Sequence, residues 1–129
     1  MSVLPLIALL LSPAMSPPAT ASPASKVTLR GQVVCSGCWG EEDRAKVAYG
    51  TPDDLDCAKR CAKRNVPVAL AVGEGKSFRL LNLTSGAVQP GKDGWLEYVG
   101  KNVEVSGHVE RTKEQEKITV DSIRALPAK

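Results

Sequence analysis

Four cysteines constrain this chain more tightly than any other feature. They stand in two close pairs, Cys35-x2-Cys38 and Cys57-x3-Cys61, with eighteen residues between the pairs. The second pair lies in a segment that carries the marks of a short helix. Thr51 can N-cap it, Pro52 suits the first helical position, and Asp54 completes an S/T-x-x-D capping box. Asp53, Asp54 and Asp56 sit at the positive end of the helix dipole, and Lys59, Arg60, Lys63 and Arg64 at its negative end. Asn65 takes the left-handed stop and Pro67 forbids continuation. Leu55, Ala58 and Ala62 form a narrow apolar stripe beside Cys57 and Cys61. Residues four apart on a helix have Cβ atoms about 5–6 Å apart, whereas a disulfide needs about 3.8 Å. Cys57 and Cys61 therefore should not bond each other without breaking the helix. They point together towards something else, and the Cys35–Cys38 turn is the evident target.

Two outcomes fit that convergence. One is a pair of structural cross-links, with Cys35 and Cys38 each bonded to one of Cys57 and Cys61. The other is a tetrahedral Zn or Cu ion held by Cys35, Cys38, Cys57 and Cys61 as thiolates. A catalytic dithiol is the third reading. It needs an activated thiolate, normally at a helix N-terminus beside a base. Lys59 and Arg60 could lower a thiol pKa, but Cys35-Ser36-Gly37-Cys38 ends a strand and lacks a thioredoxin-like βαβ setting. Haem attachment is excluded, because Trp39 stands where C-x-x-C-H requires histidine.

The compartment decides between disulfide and metal. Residues 1–25 contain no charged side chain. Residues 3–11 (VLPLIALLL) form an apolar run too short to span a bilayer, which takes roughly 20 residues. Ala19-Thr20-Ala21 supplies an A-x-A cleavage site before Ser22. No Lys or Arg precedes the run, and no Cys near the site invites lipid modification. The expected organisation is a signal peptide over 1–21, a linker over 22–25 and one domain over 26–126. The mature chain is expected to be secreted or periplasmic, with no membrane span after cleavage. Oxidising compartments favour disulfides, and a small core benefits from staples. Two structural disulfides are thus the favoured reading, with no cofactor.

The remaining pattern is mostly strand. Lys26–Cys35 alternates, with Val27, Leu29, Gly31, Val33 and Cys35 on one face and Thr28, Arg30 and Gln32 on the other. Residues 66–72 (VPVALAV) and 77–83 (SFRLLNL) read as a hairpin about Gly73-Glu74-Gly75. Residues 93–99 read as a short helix closed by Gly100. Residues 102–111 alternate with Val103, Val105, Gly107 and Val109 inward. Residues 117–123 pair back, with a phase change at Asp121-Ser122 that predicts a bulge. The predicted fold is mainly β: a five-stranded OB-like barrel. A short Cys-bearing helix is inserted between strands one and two, and a short helix precedes strand four.

Other candidate chemistry is thin. His108, the only histidine, falls on the outward phase of a strand without an acidic partner in register, which makes it a surface residue. The basic helix end and a net charge of +3 do not make a nucleic-acid site, since single-strand binding needs stacking aromatics on the central strands and only Phe78 is offered there. No G-x-S-x-G or phosphate loop is present among the serines and glycines. Glu41, Glu42 and Asp43 read as a loop charge run. Trp95 and Tyr98 are expected to plug one end of the barrel, and Trp39 to cover a small pocket beside the cysteines.

Residues 56–70 (DCAKRCAKRNVPVAL), joined to 99–109 (VGKNVEVSGHV), resemble a group of small exported bacterial OB-like proteins. That group has a Cys-bearing end to strand one, a C-A-x-x-C-A helix leading into P-V-A-L, and a V-G-K-x-V-x-V-x-G strand. The resemblance covers residues 26–126. Members often carry His three residues before the first helical Cys, where this chain has Asp54, so a His-assisted metal site is not implied here. The resemblance implies fold and export and no particular activity. The expectation is an exported, non-enzymatic binding or accessory module of the envelope, whose partner is an envelope protein or a small ligand and not a nucleic acid. Soft-metal binding and thiol–disulfide exchange are the competing classes.

Overall fold

Period-two alternation builds five strands, and their pairing closes a barrel. The computed structural model describes residues 26–73 and 77–127. In chain order the elements are β1 (Lys26–Cys35), α1 (Ser36–Trp39), α2 (Pro52–Lys63), β2 (Val68–Val72), β3 (Arg79–Ser85), a 3₁₀ turn (Trp95–Tyr98), β4 (Asn102–Arg111) and β5 (Glu116–Ala125). Spatial order is β1-β2-β3-β5-β4, with β4 returning to β1. Every neighbouring pair is antiparallel apart from β3 and β5, which run parallel. Closure leaves none of these five strands with an open edge. The mainly β, five-stranded barrel expected from the sequence is present. The expected leader and linker, residues 1–25, and the Glu74-Gly75 part of the first hairpin turn lie outside the described residues.

Leu70, Leu81, Ile118, Val33, Val103, Val105 and Val120 are fully buried and fill the interior. Val34 stands on the outward phase of β1 yet is 0% exposed. This departs from simple alternation at the end of β1, where both α1 and α2 pack close to the strand. Gly107 sits where β4 crosses β5 so closely that a β-carbon would overlap the Thr119 carbonyl. At that point the register moves from Ser106↔Ser122 to Gly107↔Val120, leaving Asp121 as the extra residue of a bulge. The phase change in the sequence marks the same place. The segment before β4 is a single 3₁₀ turn, framed by Gly94 (φ 62°) and Gly100 (φ 86°). Among the described residues no helix is long and apolar enough to cross a membrane.

Candidate functional site: a four-cysteine cluster

α2 carries out the local instructions of its sequence. The Thr51 hydroxyl accepts from the Asp54 N–H at 3.2 Å, and the Asp54 carboxylate accepts from the Thr51 N–H at 3.0 Å. At the other end Asn65 adopts φ 61°. The Asn65 N–H bonds the Ala62 carbonyl, and the Val66 N–H bonds the Cys61 carbonyl, both at 3.1 Å. That double closure stops the helix and turns the chain into β2. The opposing segment is anchored on the same strand entry. Ser36 donates to the Pro67 carbonyl through its hydroxyl at 2.8 Å and its N–H at 3.2 Å. Both cysteine pairs are therefore held against one stretch of backbone.

The two cysteine groups come together, but with one of the two expected disulfides and with three sulfurs, not four, in mutual reach. Cys38 and Cys57 are disulfide-bonded, a pairing between the two groups. Cys35 and Cys61 are free thiols and buried. The Cys38 and Cys61 Sγ atoms lie 3.6 Å apart. The sulfurs of Cys35, Cys38 and Cys61 all fall within 4.8 Å of one another, a group able to hold a metal ion. Gly37 leaves room above them, since a β-carbon there would approach Val66 at 3.1 Å and the Cys35 and Cys61 sulfurs at 3.9 and 4.0 Å. Three of the cysteines are enclosed: Cys35 is 1%, Cys38 4% and Cys61 6% exposed. Cys57 is half-buried and the most accessible of the four.

Burial pushes the Cys35 thiol above its ordinary pKa, and the neighbouring Cys61 adds to the rise. The N–H groups of Cys38 and Gly37, which hydrogen-bond the Cys35 sulfur, work in the opposite direction. Tyr49 closes the site from the loop before α2. Its hydroxyl accepts from the Cys35 N–H at 3.0 Å, and burial raises the phenol pKa.

Arg44 is the residue that sequence reasoning missed. Its side chain is only 5% exposed. The guanidinium donates to the Trp39 carbonyl at 2.9 Å and the Cys38 carbonyl at 3.2 Å. It lies 5.3 Å from the Trp39 ring centre and 5.1 Å from that of Tyr49. Asp54 stands 3.9 Å away. Burial alone would raise the Asp54 pKa, but the N–H groups of Gly50 and Thr51, the Thr51 hydroxyl and Arg44 together lower it. An arginine in a charge-rich loop looks solvated. The available signal was the pair of aromatics, Trp39 and Tyr49, flanking it at −5 and +5.

Trp39 packs edge-on against Phe78 at 5.0 Å between ring centres. With Arg44, Gly40, Glu42, Asp43 and Ala45 the two rings line a depression of about 330 Å³ beside the cluster. Trp95 is buried in the core, with Tyr98 partly buried 6.5 Å from it between ring centres. Lys59, Arg60, Lys63 and Arg64 are exposed. His108 corrects the expectation of a solitary surface side chain: its Nδ1 lies 3.1 Å from Asp121 Oδ2. The bulge is the reason, because the extra residue takes the Asp121 carboxylate off the regular phase of β5 and beside β4.

No known protein family, curated protein or solved structure matches this chain.

Proposed function

We propose that the protein is an exported, non-enzymatic accessory module, a barrel for binding whose cysteine cluster is a structural clasp of two cross-links. The first is Cys38–Cys57 and the second Cys35–Cys61. The observation that carries this reading is the bond between the two cysteine groups, which leaves one buried thiol from each group within the same cluster. The clasp joins the end of β1 to α2 at the point where the barrel would otherwise splay from its inserted helix. An uncharged leader with an A-x-A site supports export into a compartment that forms such bonds. The test is the intact mass and non-reducing peptide map of the chain recovered from an oxidising compartment. Loss of four hydrogens, with peptides joined as 38–57 and 35–61, is expected. Four free thiols, or a Cys57–Cys61 link, would overturn the clasp.

A second reading is favoured by one distance. Zinc–thiolate bonds of about 2.3 Å place the sulfurs of a tetrahedral site about 3.8 Å apart. Cys38 and Cys61 already stand at 3.6 Å, and Cys35 belongs to the same group. In the reduced chain the four cysteines then act as a soft-metal site for Zn or Cu.

A further inference from the structure

Cys38 is common to both arrangements. It is bonded to Cys57 and, at the same time, grouped with Cys35 and Cys61. A sulfur committed to a disulfide is no longer a thiolate ligand. Closing the bond therefore takes Cys38 out of the three-sulfur group and, in the same step, commits Cys57, the one further cysteine that could serve as a fourth donor. What stays is Cys35 and Cys61 alone. Among the described residues no His, Asp or Glu joins the group to replace the lost ligands. A structural zinc site needs four donors. Two sulfurs in a pocket shut off from water do not meet that need, whereas a monovalent copper ion is content with two thiolates.

We infer that the cluster is a redox-gated site for a divalent d10 cation of the zinc class, filled when Cys38 and Cys57 are reduced and emptied when they bond. This inference rests on the soft-metal reading above and adds its regulation. The exposure of the four residues sets the direction of attack. Cys57 is half-buried while its three companions are enclosed. A small disulfide oxidant, of which oxidised glutathione is the type, meets Cys57 first.

The step balances. The Cys57 thiolate attacks the glutathione disulfide, forming a mixed disulfide and expelling one glutathione thiolate. The Cys38 thiolate attacks the Cys57 sulfur, forming Cys38–Cys57 and expelling the second glutathione thiolate. Two electrons have passed from two protein thiolates to one oxidised glutathione. The cation leaves, and Cys35 and Cys61 each take a proton from solvent.

The experiment uses the full chain, reduced, freed of metal and loaded anaerobically with one equivalent of Zn²⁺. Release is followed with a chromophoric chelator after addition of oxidised glutathione. One ion per chain is expected to leave as peptide mapping records Cys38–Cys57 forming. Cys57→His and Cys57→Asp keep a fourth donor that cannot form the disulfide and should release zinc at least tenfold more slowly, with circular dichroism and zinc stoichiometry checking that each variant folds and loads. Zinc that stays bound after the bond has formed overturns the gating, as does release from both variants at the wild-type rate. A reduced wild-type chain that takes up no zinc overturns the soft-metal reading itself, and the two failures are distinct.

Discussion

Replacing Cys57 with serine isolates the contribution of the Cys38–Cys57 cross-link. The Cys38–Cys57 bond joins residues 19 apart in sequence. Closing a loop of that length restricts the unfolded chain by about 3 kcal/mol in the chain-entropy treatment. The substitution adds little of its own. Cys57 is half-buried, so a serine hydroxyl there reaches water, and Cys38 is left as a thiol of unchanged shape beside Cys61. Urea unfolding in non-reducing buffer with a metal chelator reads the difference. At a slope near 1.5 kcal/mol/M, about 3 kcal/mol lowers the midpoint by about 2 M. Reductant should lower the wild type by about 3 kcal/mol more than the variant, which has only the proposed Cys35–Cys61 link to lose. A variant within about 1 kcal/mol of the wild type, or a wild type indifferent to reductant, would refute the cross-link as a source of stability.

Arg44→Met keeps the stem between Trp39 and Tyr49 but strips the donors from the Cys38 and Trp39 carbonyls. It should cost about 2–4 kcal/mol in thermal unfolding, and Arg44→Lys should recover less than half, because an ammonium cannot reproduce the planar fork. Acid should weaken the fold through its surface ion pairs. Arg30 and Arg124 hold Glu104 below the usual 4.5, and Arg79 does the same for Glu116. With folded pKa values below unfolded ones, their stabilisation is complete above pH 4.5 and disappears as pH falls through the lowered values. The melting temperature should be flat above about pH 5 and fall below about 4.5, with a shallower fall in Glu116→Gln. A profile unchanged from pH 6 to 3 would contradict these pairings.

What was legible in the sequence is what rests on local physics. The cap at Thr51, the stop at Asn65 and the acidic-to-basic gradient of α2 each act within one helical turn, so they survive into the fold unaltered. The barrel followed from period-two alternation, and the Asp121 bulge from a break in that period. What escaped depends on neighbours far away in sequence. Val34 is buried despite its outward phase, at the end of β1 near which α1 and α2 pack, and alternation within β1 does not encode this. The 3₁₀ turn at Trp95–Tyr98 is shorter than its apolar spacing implied. Arg44 needed the folded positions of two aromatic rings, and His108 needed the register shift that places Asp121 beside it. The cysteines stand between these cases. Helical periodicity forbade a Cys57–Cys61 bond and aimed both residues at the end of β1, but their bonding depends on the redox conditions around the chain.

The position of the cluster is such that the proposed change of state would leave the barrel standing. Of its four residues only Cys35 belongs to the fully buried layer formed by Leu70, Leu81, Ile118 and the valines. Cys38, Cys57 and Cys61 sit on α1 and α2, outside the strands. The barrel ladder runs through β4 and β5 at the bulge and through the parallel β3–β5 pair, and none of those strands carries a cysteine. A bond made or broken at Cys38 therefore acts on how α1 meets α2, while the apolar layer that closes the barrel stays in place. That separation suits the proposed double role of staple and ligand set: the Cys38–Cys57 link acts between α1 and α2, and of the four cysteines only Cys35 lies in a strand of the barrel.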